Sequence, residues 1–225
     1  MSVRPGWDAI DGVLAQLYGT TEPEHWTVSH HWTVGSADPL EGISAYARTD
    51  PVPHWHYISY GMSELDEKAW GHPSISGWGF EFTFRLCGEV DVEPAPVWPA
   101  NFIQNLARYV FTSGKRFAAG QTIRANGPIA GADHAESPIR AVGFATDPEL
   151  GIIETINGRV EFLQIIGLAD TEYQAARGGK LGGVLDALRE RLPLLVTDID
   201  RDSLLPPPAP RAQWPRWGGG LRGRG

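Results

Sequence analysis

The sequence has almost no cysteine, no long apolar run and few basic residues, and each shortage excludes a class of protein. Cys87 is the single cysteine among 225 residues, which excludes an internal disulfide and a metal site built from several cysteines. No apolar run approaches the roughly 18–20 residues of a membrane-spanning helix. The N-terminus has no basic-then-apolar signal region. We therefore expect a cytoplasmic protein without a membrane partner.

The charge balance is acidic. Nineteen Lys and Arg residues stand against 27 Asp and Glu residues, for a net charge of −8. Four arginines lie in the last twenty residues, which hold no acidic residue, so residues 1–205 carry a net charge of −12. A body of this charge repels phosphate backbones and argues against nucleic-acid binding. This net charge is compatible with a basic protein partner, and a role in solubility alone also explains it.

The composition predicts one domain followed by a tail. Hydrophobic residues make up 42% and charged residues 20% of the chain, as in ordinary globular proteins. A chain of this length forms a sizeable core without disulfides. From residue 206 the sequence is rich in Pro, Gly and Arg, which is typical of disorder. We predict a domain over residues 1–205 and a disordered tail over residues 206–225.

The periodicity of apolar residues predicts a mixture of helices and strands. Helical spacing recurs over 7–18, 99–113 and 181–192, and a short helix capped by Asp170 is predicted over 171–177. Strand-like segments cover 26–34, 43–48, 54–60, 77–86, 141–146, 151–156, 159–167 and 194–197. Asn157-Gly158 between two of them predicts a two-residue type I′ turn. Because no Gly-rich phosphate loop and no βαβα alternation occur, the predicted fold is α+β, with helices packed on a mostly antiparallel sheet.

The segment 77–86 shows the clearest alternation. Its apolar side chains share one face and are Trp78, Phe80, Phe82, Phe84 and Leu86. Glu81, Thr83 and Arg85 share the other face, so the pattern predicts a half-buried strand with an aromatic core side. Glu81 and Arg85 lie about 13 Å apart along a strand, too far to pair. Each therefore needs a partner on another strand, or a ligand.

His54 and His56 are candidate metal ligands. Two residues apart on a strand, they point to the same face, and Glu81 of a neighbouring strand could complete a zinc site. A metal-dependent enzyme using His54, His56 and Glu81 is therefore one alternative. The other interpretation is that both imidazoles are hydrogen-bonded in or beside the core. The sequence has no Gly-x-Ser-x-Gly nucleophile elbow, and we predict no cofactor.

Asp147 begins an acidic turn, Asp-Pro-Glu-Leu. Proline fixes φ at a turn, and an aspartate before it can bond backbone amides. Asp147, Glu64 and Glu81 could also supply the carboxylate pair of a glycoside hydrolase, but no spacing favours that arrangement. Turn chemistry is the preferred interpretation.

Several motifs in register resemble the Suppressor of fused (Sufu) family. The two longest are residues 53–65, Pro-His-Trp-His-Tyr-Ile-Ser-Tyr-Gly-Met-Ser-Glu-Leu, and 76–86, Ser-Gly-Trp-Gly-Phe-Glu-Phe-Thr-Phe-Arg-Leu. Shorter matches keep the family's order and lie at 38–40, 98–100, 105–113, 147–150, 162–167 and 195–198. The similarity covers about residues 7–203. It implies the α+β fold of the Sufu N-terminal domain.

The resemblance also implies a mode of action. The animal member is not an enzyme; it clamps a peptide of a Hedgehog-pathway transcription factor as an added strand, between this domain and a second one. Strand addition takes affinity from backbone hydrogen bonds. An acidic side chain of that clamp pairs with a peptide histidine, and we expect its counterpart within residues 64–67. The predicted contact residues, on a strand face taken to be exposed, are Tyr57, Tyr60, Glu64, Asp66, Glu67 and Glu81.

The sequence departs from the animal pattern because it stops where the second domain should begin. The short form resembles stand-alone Sufu-domain proteins of bacteria, many of which are regarded as immunity proteins against toxins of polymorphic toxin systems. The resemblance therefore implies a non-catalytic protein-binding module, and first of all an immunity protein. An intracellular adaptor that binds a host peptide by strand addition is a further alternative.

Overall fold

The computed structural model describes residues 4–27, 38–69, 71–91 and 94–206. In chain order, the helices and strands of these ranges are α1 Pro5–Tyr18, β1 Glu24–Thr27, β2 Gly42–Arg48, β3 His54–Tyr60, β4 Ile75–Cys87, α2 Trp98–Ser113, β5 Thr122–Arg124, β6 Ile139–Thr146, β7 Ile152–Thr155, β8 Gly158–Ala169, α3 Asp170–Ala176 and α4 Leu181–Arg189. Most of the predicted strand over 26–34, and nearly all of the predicted tail, lie outside the described residues. None of the helices in the described ranges is both long and apolar enough to cross a bilayer.

The strands form a single eight-stranded sheet. Its order is β1-β2-β3-β4-β8-β6-β5, and β7 pairs with the first part of β8. Each of these strand pairs is antiparallel except β4–β8, which is parallel. The predicted α+β fold with a mostly antiparallel sheet is confirmed.

Helices cover both faces of the sheet. On one face, the aromatic side of β4, with Phe82 and Phe84 fully buried, packs with Ile103 and Val110 of α2. Because side chains alternate along a strand, the polar side of β4 points to the other face, where Ile10 and other residues of α1 pack. Helices α3 and α4 pack against Ile166 and Leu168 of β8, which are also fully buried.

The β7–β8 hairpin differs from the predicted type I′ turn. Thr155 pairs with Gly158, so the two loop residues are Ile156 and Asn157. The positive φ, 109°, belongs to Gly158 and not to either loop residue, so the type I′ prediction is wrong. A Cβ on Gly158 would lie 2.6 Å from the backbone nitrogen of Ile75. The glycine thus serves a close approach to β4 as well as the turn.

The prediction of a C-terminal strand is also wrong. Residues 194–197 do not form a strand; a short 3-10 turn occupies Pro193–Leu195, and a single bridge joins Leu86 to Thr197. Leu194 and Leu195 adopt left-handed φ of 53° and 55°, which ends any extended run.

Asp170 does not cap α3. Ala169 takes the N-cap position, and its N–H donates to Oε2 of Glu172 at 2.9 Å. Asp170 instead pairs with Arg124 at 2.5 Å. The capping role moves to Glu172 because that side chain is buried and held by Arg201 at 2.6 Å.

Candidate partner-binding site

The connection from β3 to β4 carries residues 64–67, which we call the acidic segment. The side chain of Asp66 is 60% exposed, and Glu67 is also exposed. Glu64 is only 8% exposed. The acidic segment therefore presents two carboxylates to solvent and keeps a third inside.

Glu81 of β4 holds the turn that leads into the acidic segment. Its carboxylate accepts hydrogen bonds from the hydroxyls of Ser59 and Ser63, at 2.5 and 2.6 Å. It also accepts from the backbone N–H groups of Gly61, Met62 and Ser63, at 3.0, 3.3 and 2.8 Å. Burial raises the pKa of Glu81 to about 7, although the bonds from Ser59 and Ser63 act to lower it. By accepting from three consecutive N–H groups, the Glu81 carboxylate fixes the backbone of residues 61–63.

Glu64 secures the acidic segment from within. Its Oε2 accepts from Nζ of Lys68 at 2.9 Å, and its Oε1 accepts from the N–H of Ala69 at 2.7 Å. Its own N–H donates to the Oγ of Ser76, near the start of β4, at 3.0 Å. The charge of Glu64 is therefore matched inside the protein.

Asn157, at the tip of the β7–β8 hairpin, binds the backbone of the acidic segment. Its Nδ2 donates to the carbonyl oxygens of Glu64 and Asp66, at 2.9 and 2.5 Å. Its own carbonyl oxygen accepts from Nζ of Lys68 at 2.9 Å. The Asn157 side chain is buried, so its hydrogen bonds are shielded from water. They hold the acidic segment against the hairpin.

The first turn of α1 binds the backbone of the acidic segment from a third side, after Glu81 and Asn157. The N–H groups of Gly6 and Trp7 donate to the carbonyl oxygen of Leu65, at 2.9 and 3.2 Å. These are helix-terminal N–H groups without intrahelical partners. Arg4, just before the helix, donates from Nε to Oδ1 of Asp66 at 2.8 Å.

The two exposed carboxylates remain available to a partner. Glu67 forms no hydrogen bond or ion pair with any other residue in the described ranges. The pair of Asp66 with Arg4 is solvent-exposed, and exposed pairs contribute about 0–1 kcal/mol. A partner cation can therefore replace Arg4 at little cost.

The structure corrects the predicted exposure of the contact residues. The polar face of β4 is covered by α1 and by the turn at residues 147–150, so the prediction of an exposed strand face is wrong. The side chains predicted as contacts but buried here are Tyr57, Tyr60, Glu64 and Glu81, from 0 to 8% exposed. Tyr57 donates to the carbonyl oxygen of Pro96 at 2.7 Å, and Tyr60 donates to Asp11 at 3.0 Å. A contact role for Asp66 and Glu67 stays a prediction.

The histidines of β3 are buried and engaged by protein groups. Nδ1 of His56 lies 2.5 Å from the hydroxyl of Tyr18, and its Nε2 lies 3.3 Å from Oδ2 of Asp147. Nδ1 of His54 lies 2.7 Å from a backbone carbonyl oxygen. Across the described ranges, no group of three or more His, Cys, Asp and Glu side chains is placed to hold a metal ion. The geometry gives no support to a metal site at His54, His56 and Glu81.

Arg85 lies in a buried ionic network on the same face of the sheet. Its guanidinium donates to Asp147 at 2.5 and 3.1 Å and to Glu149 at 2.8 Å. Burial lowers the pKa of His56 to about 4, and the charge of Arg85 acts in the same direction. Burial acts to raise the pKa of Asp147, but His56 and Arg85 outweigh it and hold that pKa well below its usual value. Arg85 therefore has protein partners, but they lie in the turn at residues 147–150 and not on another strand as predicted.

The predicted chemistry of the Asp147 turn is confirmed. Its Oδ1 accepts from the N–H groups of Glu149 and Leu150, at 2.9 and 3.0 Å. Sequence reasoning missed Arg4 and the tertiary role of Asn157 at the acidic segment. No sequence signal joins them to it, because Asn157 is more than ninety positions away and an Asn-Gly pair indicates a turn without indicating what the turn contacts.

Comparison with known proteins agrees with this fold. The family model described as Suppressor of fused protein (SUFU) matches residues 36–202. Human Suppressor of fused homolog is 36% identical over 211 residues, which cover 87% of this chain, and the mouse homolog gives the same values. The chain spans 43% of the length of each of these relatives.

Solved structures give the same assignment. Drosophila Suppressor of Fused superposes with a TM-score of 0.80 at 35% identity, over 88% of this chain and 51% of that one. The Sufu–Fu complex structure superposes with a TM-score of 0.79 at 34% identity, over 88% and 91%. A putative homolog from Neisseria gonorrhoeae, 16% identical, shares the fold with a TM-score of 0.60 over 88% and 96%. The chain belongs to the Suppressor of fused family.

Proposed function

We propose that this chain is a non-catalytic protein-binding module that sequesters or neutralises a protein partner through Asp66 and Glu67. The observation that carries the proposal is the acidic segment itself. Glu81, Asn157 and α1 fix its backbone from three sides, while two carboxylates face solvent. A backbone that is already ordered lowers the entropic cost of association.

Family membership supports a protein partner. A solved structure similar to this chain is that of the Sufu–Fu complex, so a relative of this domain is found with another protein. Glu81 and Arg85, which the sequence left open to a ligand, are engaged by protein groups. The polar face of β4 is thus used to build the module.

The specific role that we propose is that of a cytoplasmic immunity protein whose partner is a basic toxin. The net charge of −12 over residues 1–205 attracts such a partner and accelerates the encounter. An adaptor that adds a peptide strand is the second candidate. It is favoured by β1, which pairs with β2 alone within the described part of the sheet, because a one-sided strand offers unpaired backbone groups.

The test is affinity capture from the native host with the wild-type chain and a double variant, Asp66→Arg with Glu67→Arg. The matched control is Asp133→Arg with Glu136→Arg, which makes the same charge change at two exposed positions between β5 and β6. We expect mass spectrometry to find a basic partner with the wild type and the control, and not with the double variant.

Retention of the partner by the double variant, with circular dichroism showing all three chains folded, would contradict the role of Asp66 and Glu67. A partner encoded beside this gene supports immunity, whereas one encoded elsewhere in the host favours the adaptor.

A further inference from the structure

A cleft of about 400 Å³ opens between α1, the loop after it, and strands β1 and β2. Its lining includes the side chains Trp7, Asp11, Glu22, His25, Tyr46 and Tyr60. The acidic segment contributes no residue to this lining. Clefts of several hundred Å³ hold small molecules or single side chains of a partner.

The walls of the cleft are aromatic and packed against one another. The ring of Trp7 stacks on that of Tyr60 with centroids 4.4 Å apart, and Tyr46 stacks on Tyr18 at 3.9 Å. The imidazole of His25 lies 5.7 Å from the ring of Tyr60. Mutual packing restricts the rotamers of these rings, so the shape of the cleft is built into the fold.

The charge of the cleft is negative. Asp11 and Glu22 line it, whereas no Lys or Arg belongs to its lining in the described ranges. Tyr60 donates to Oδ1 of Asp11 at 3.0 Å and orients this carboxylate. Burial lowers the pKa of His25, which keeps its imidazole neutral at pH 7.

Tyr46 marks an unfilled hydrogen-bonding position. Its side chain is only 7% exposed, yet its hydroxyl forms no hydrogen bond with any residue in the described ranges. Burial raises its pKa, and the charge of Asp11 acts in the same direction. The hydroxyl is not among the fully enclosed polar atoms that lack a partner, so it faces the open cleft, where a ligand N–H can donate to it.

The Trp7 ring already engages one cation. The guanidinium carbon of Arg4 lies 4.6 Å from its centroid, a distance typical of cation–π contacts. Arg4 does not line the cleft, and its charge is matched by Glu41 and Asp66. Trp7 is thus already in contact with a cation of the protein itself.

We propose that this cleft binds an alkylammonium or guanidinium group, with Asp11 as counter-ion, the Tyr46 hydroxyl as hydrogen-bond acceptor, and Trp7 and Tyr60 as aromatic walls. An organic cation satisfies the carboxylate and the rings together, whereas an anion is repelled by Asp11 and Glu22. The cation can come from a free amine or from a Lys or Arg side chain of a protein. The site is separate from the acidic segment and does not depend on the function proposed above.

The test is titration of the full-length protein by calorimetry with three probes. Agmatine carries a guanidinium on a free chain, N-acetyl-arginine methylamide carries it as a peptide side chain, and N-acetyl-citrulline methylamide is the neutral isostere. We expect saturable binding of at least one guanidinium probe and none of the citrulline probe. Asp11→Asn should weaken binding about tenfold or more, as loss of one charge-assisted hydrogen bond does.

Two further variants define the site. Tyr46→Phe keeps the ring and removes only the hydroxyl, so we expect binding to weaken several-fold without loss of fold. Asp8→Asn is the matched control, because Asp8 is exposed on the same helix and does not line the cleft; it should bind as the wild type does.

Each outcome of these titrations either supports or overturns the proposed cation site. Binding of agmatine alone supports a free-amine site, and binding of the arginine probe, with or without agmatine, supports a site that accepts protein side chains. No saturable binding at about 10 mM, equal binding of the citrulline probe, or unchanged binding by Asp11→Asn overturns the proposal. Agmatine binding that persists in the Asp66→Arg, Glu67→Arg variant separates this cleft from the acidic segment.

Discussion

Glu81 connects the centre of the sheet to the surface. Its carboxylate is fully buried and accepts five hydrogen bonds, three of them from the consecutive N–H groups of residues 61–63. Buried donors left without an acceptor are expensive. Glu81 is inaccessible to a partner, but it fixes the backbone of the turn that leads to Asp66 and Glu67.

Glu81→Gln should lower the free energy of unfolding by about 2–3 kcal/mol. The new NH₂ group would face backbone N–H donors, which then lack an acceptor in a site closed to water. Urea denaturation at pH 7.5 measures the loss. Glu67→Gln, at an exposed position, is the control and should stay within about 0.5 kcal/mol of the wild type. A Glu81→Gln chain as stable as that control would contradict the anchoring role.

His56 and Glu81 should give stability opposite dependences on pH. The pKa of His56 falls from 6.5 to about 4 on folding, so its contribution is lost as pH falls from about 6.5 to about 4. The pKa of Glu81 rises from 4.5 to about 7, so its contribution is present at low pH and lost as pH rises through this window. Between about pH 4.5 and 6.5 the two effects oppose each other.

Single variants should separate these effects. Relative to the wild type, unfolding free energy measured from pH 4.5 to 6.5 should rise more steeply with pH in Glu81→Gln, which keeps only the His56 effect. It should rise less steeply, or fall, in His56→Gln, which keeps only the Glu81 effect. Parallel curves for all three chains would show that neither group titrates in this window.

At the scale of elements, the acidic segment depends on the tip of a distant hairpin. Asn157→Ala removes the donors to the carbonyl oxygens of Glu64 and Asp66. We expect faster amide hydrogen exchange across residues 64–69, with protection of α2 unchanged, because local opening follows the loss of local bonds. Asn101→Ala, at an exposed position of α2, is the control. Unchanged exchange at 64–69 in Asn157→Ala would count against the contact.

The pattern along each strand predicted the elements better than it predicted their surroundings. Alternation over residues 77–86 correctly predicted that Phe80, Phe82 and Phe84 face the core. It also implied a solvent face for Glu81 and Arg85, because polar residues usually mark one. That face is closed by α1 and by the turn at Asp147, segments far away in the chain whose position no local pattern encodes.

The exposure of the predicted contact residues was anticipated only in part, for a similar reason. The family resemblance directed attention to residues 64–67, and Asp66 and Glu67 are exposed there. It could not separate them from Glu64, whose carboxylate faces Lys68. Likewise, Asn157-Gly158 correctly indicated a turn, but the close approach of Gly158 to Ile75 is tertiary and is not encoded in the local sequence.

At the scale of the molecule, the acidic body should accelerate partner binding at low salt. Ionic strength of about 0.01 M gives a screening length of about 30 Å, against about 3 Å at 1 M. We expect the association rate for a captured basic partner to fall steeply between these limits, with a smaller change in dissociation. Surface plasmon resonance measures both rates. The Asp133→Arg, Glu136→Arg control separates net charge from the acidic segment, and a salt-independent association rate would contradict electrostatic attraction.

The parallel pairing of β4 with β8 bears on how the molecule folds. Ile75 pairs with Arg159, more than eighty positions later, so this contact closes a long loop whose entropy must be overcome before the pairing stabilises anything. Glu81 lies on β4, and Asn157 immediately precedes β8. A nascent chain that has emerged only as far as β6 holds the first anchor of the acidic segment and lacks the second. The partner binding that we propose for the acidic segment would therefore have to wait, during translation, for the β7–β8 hairpin.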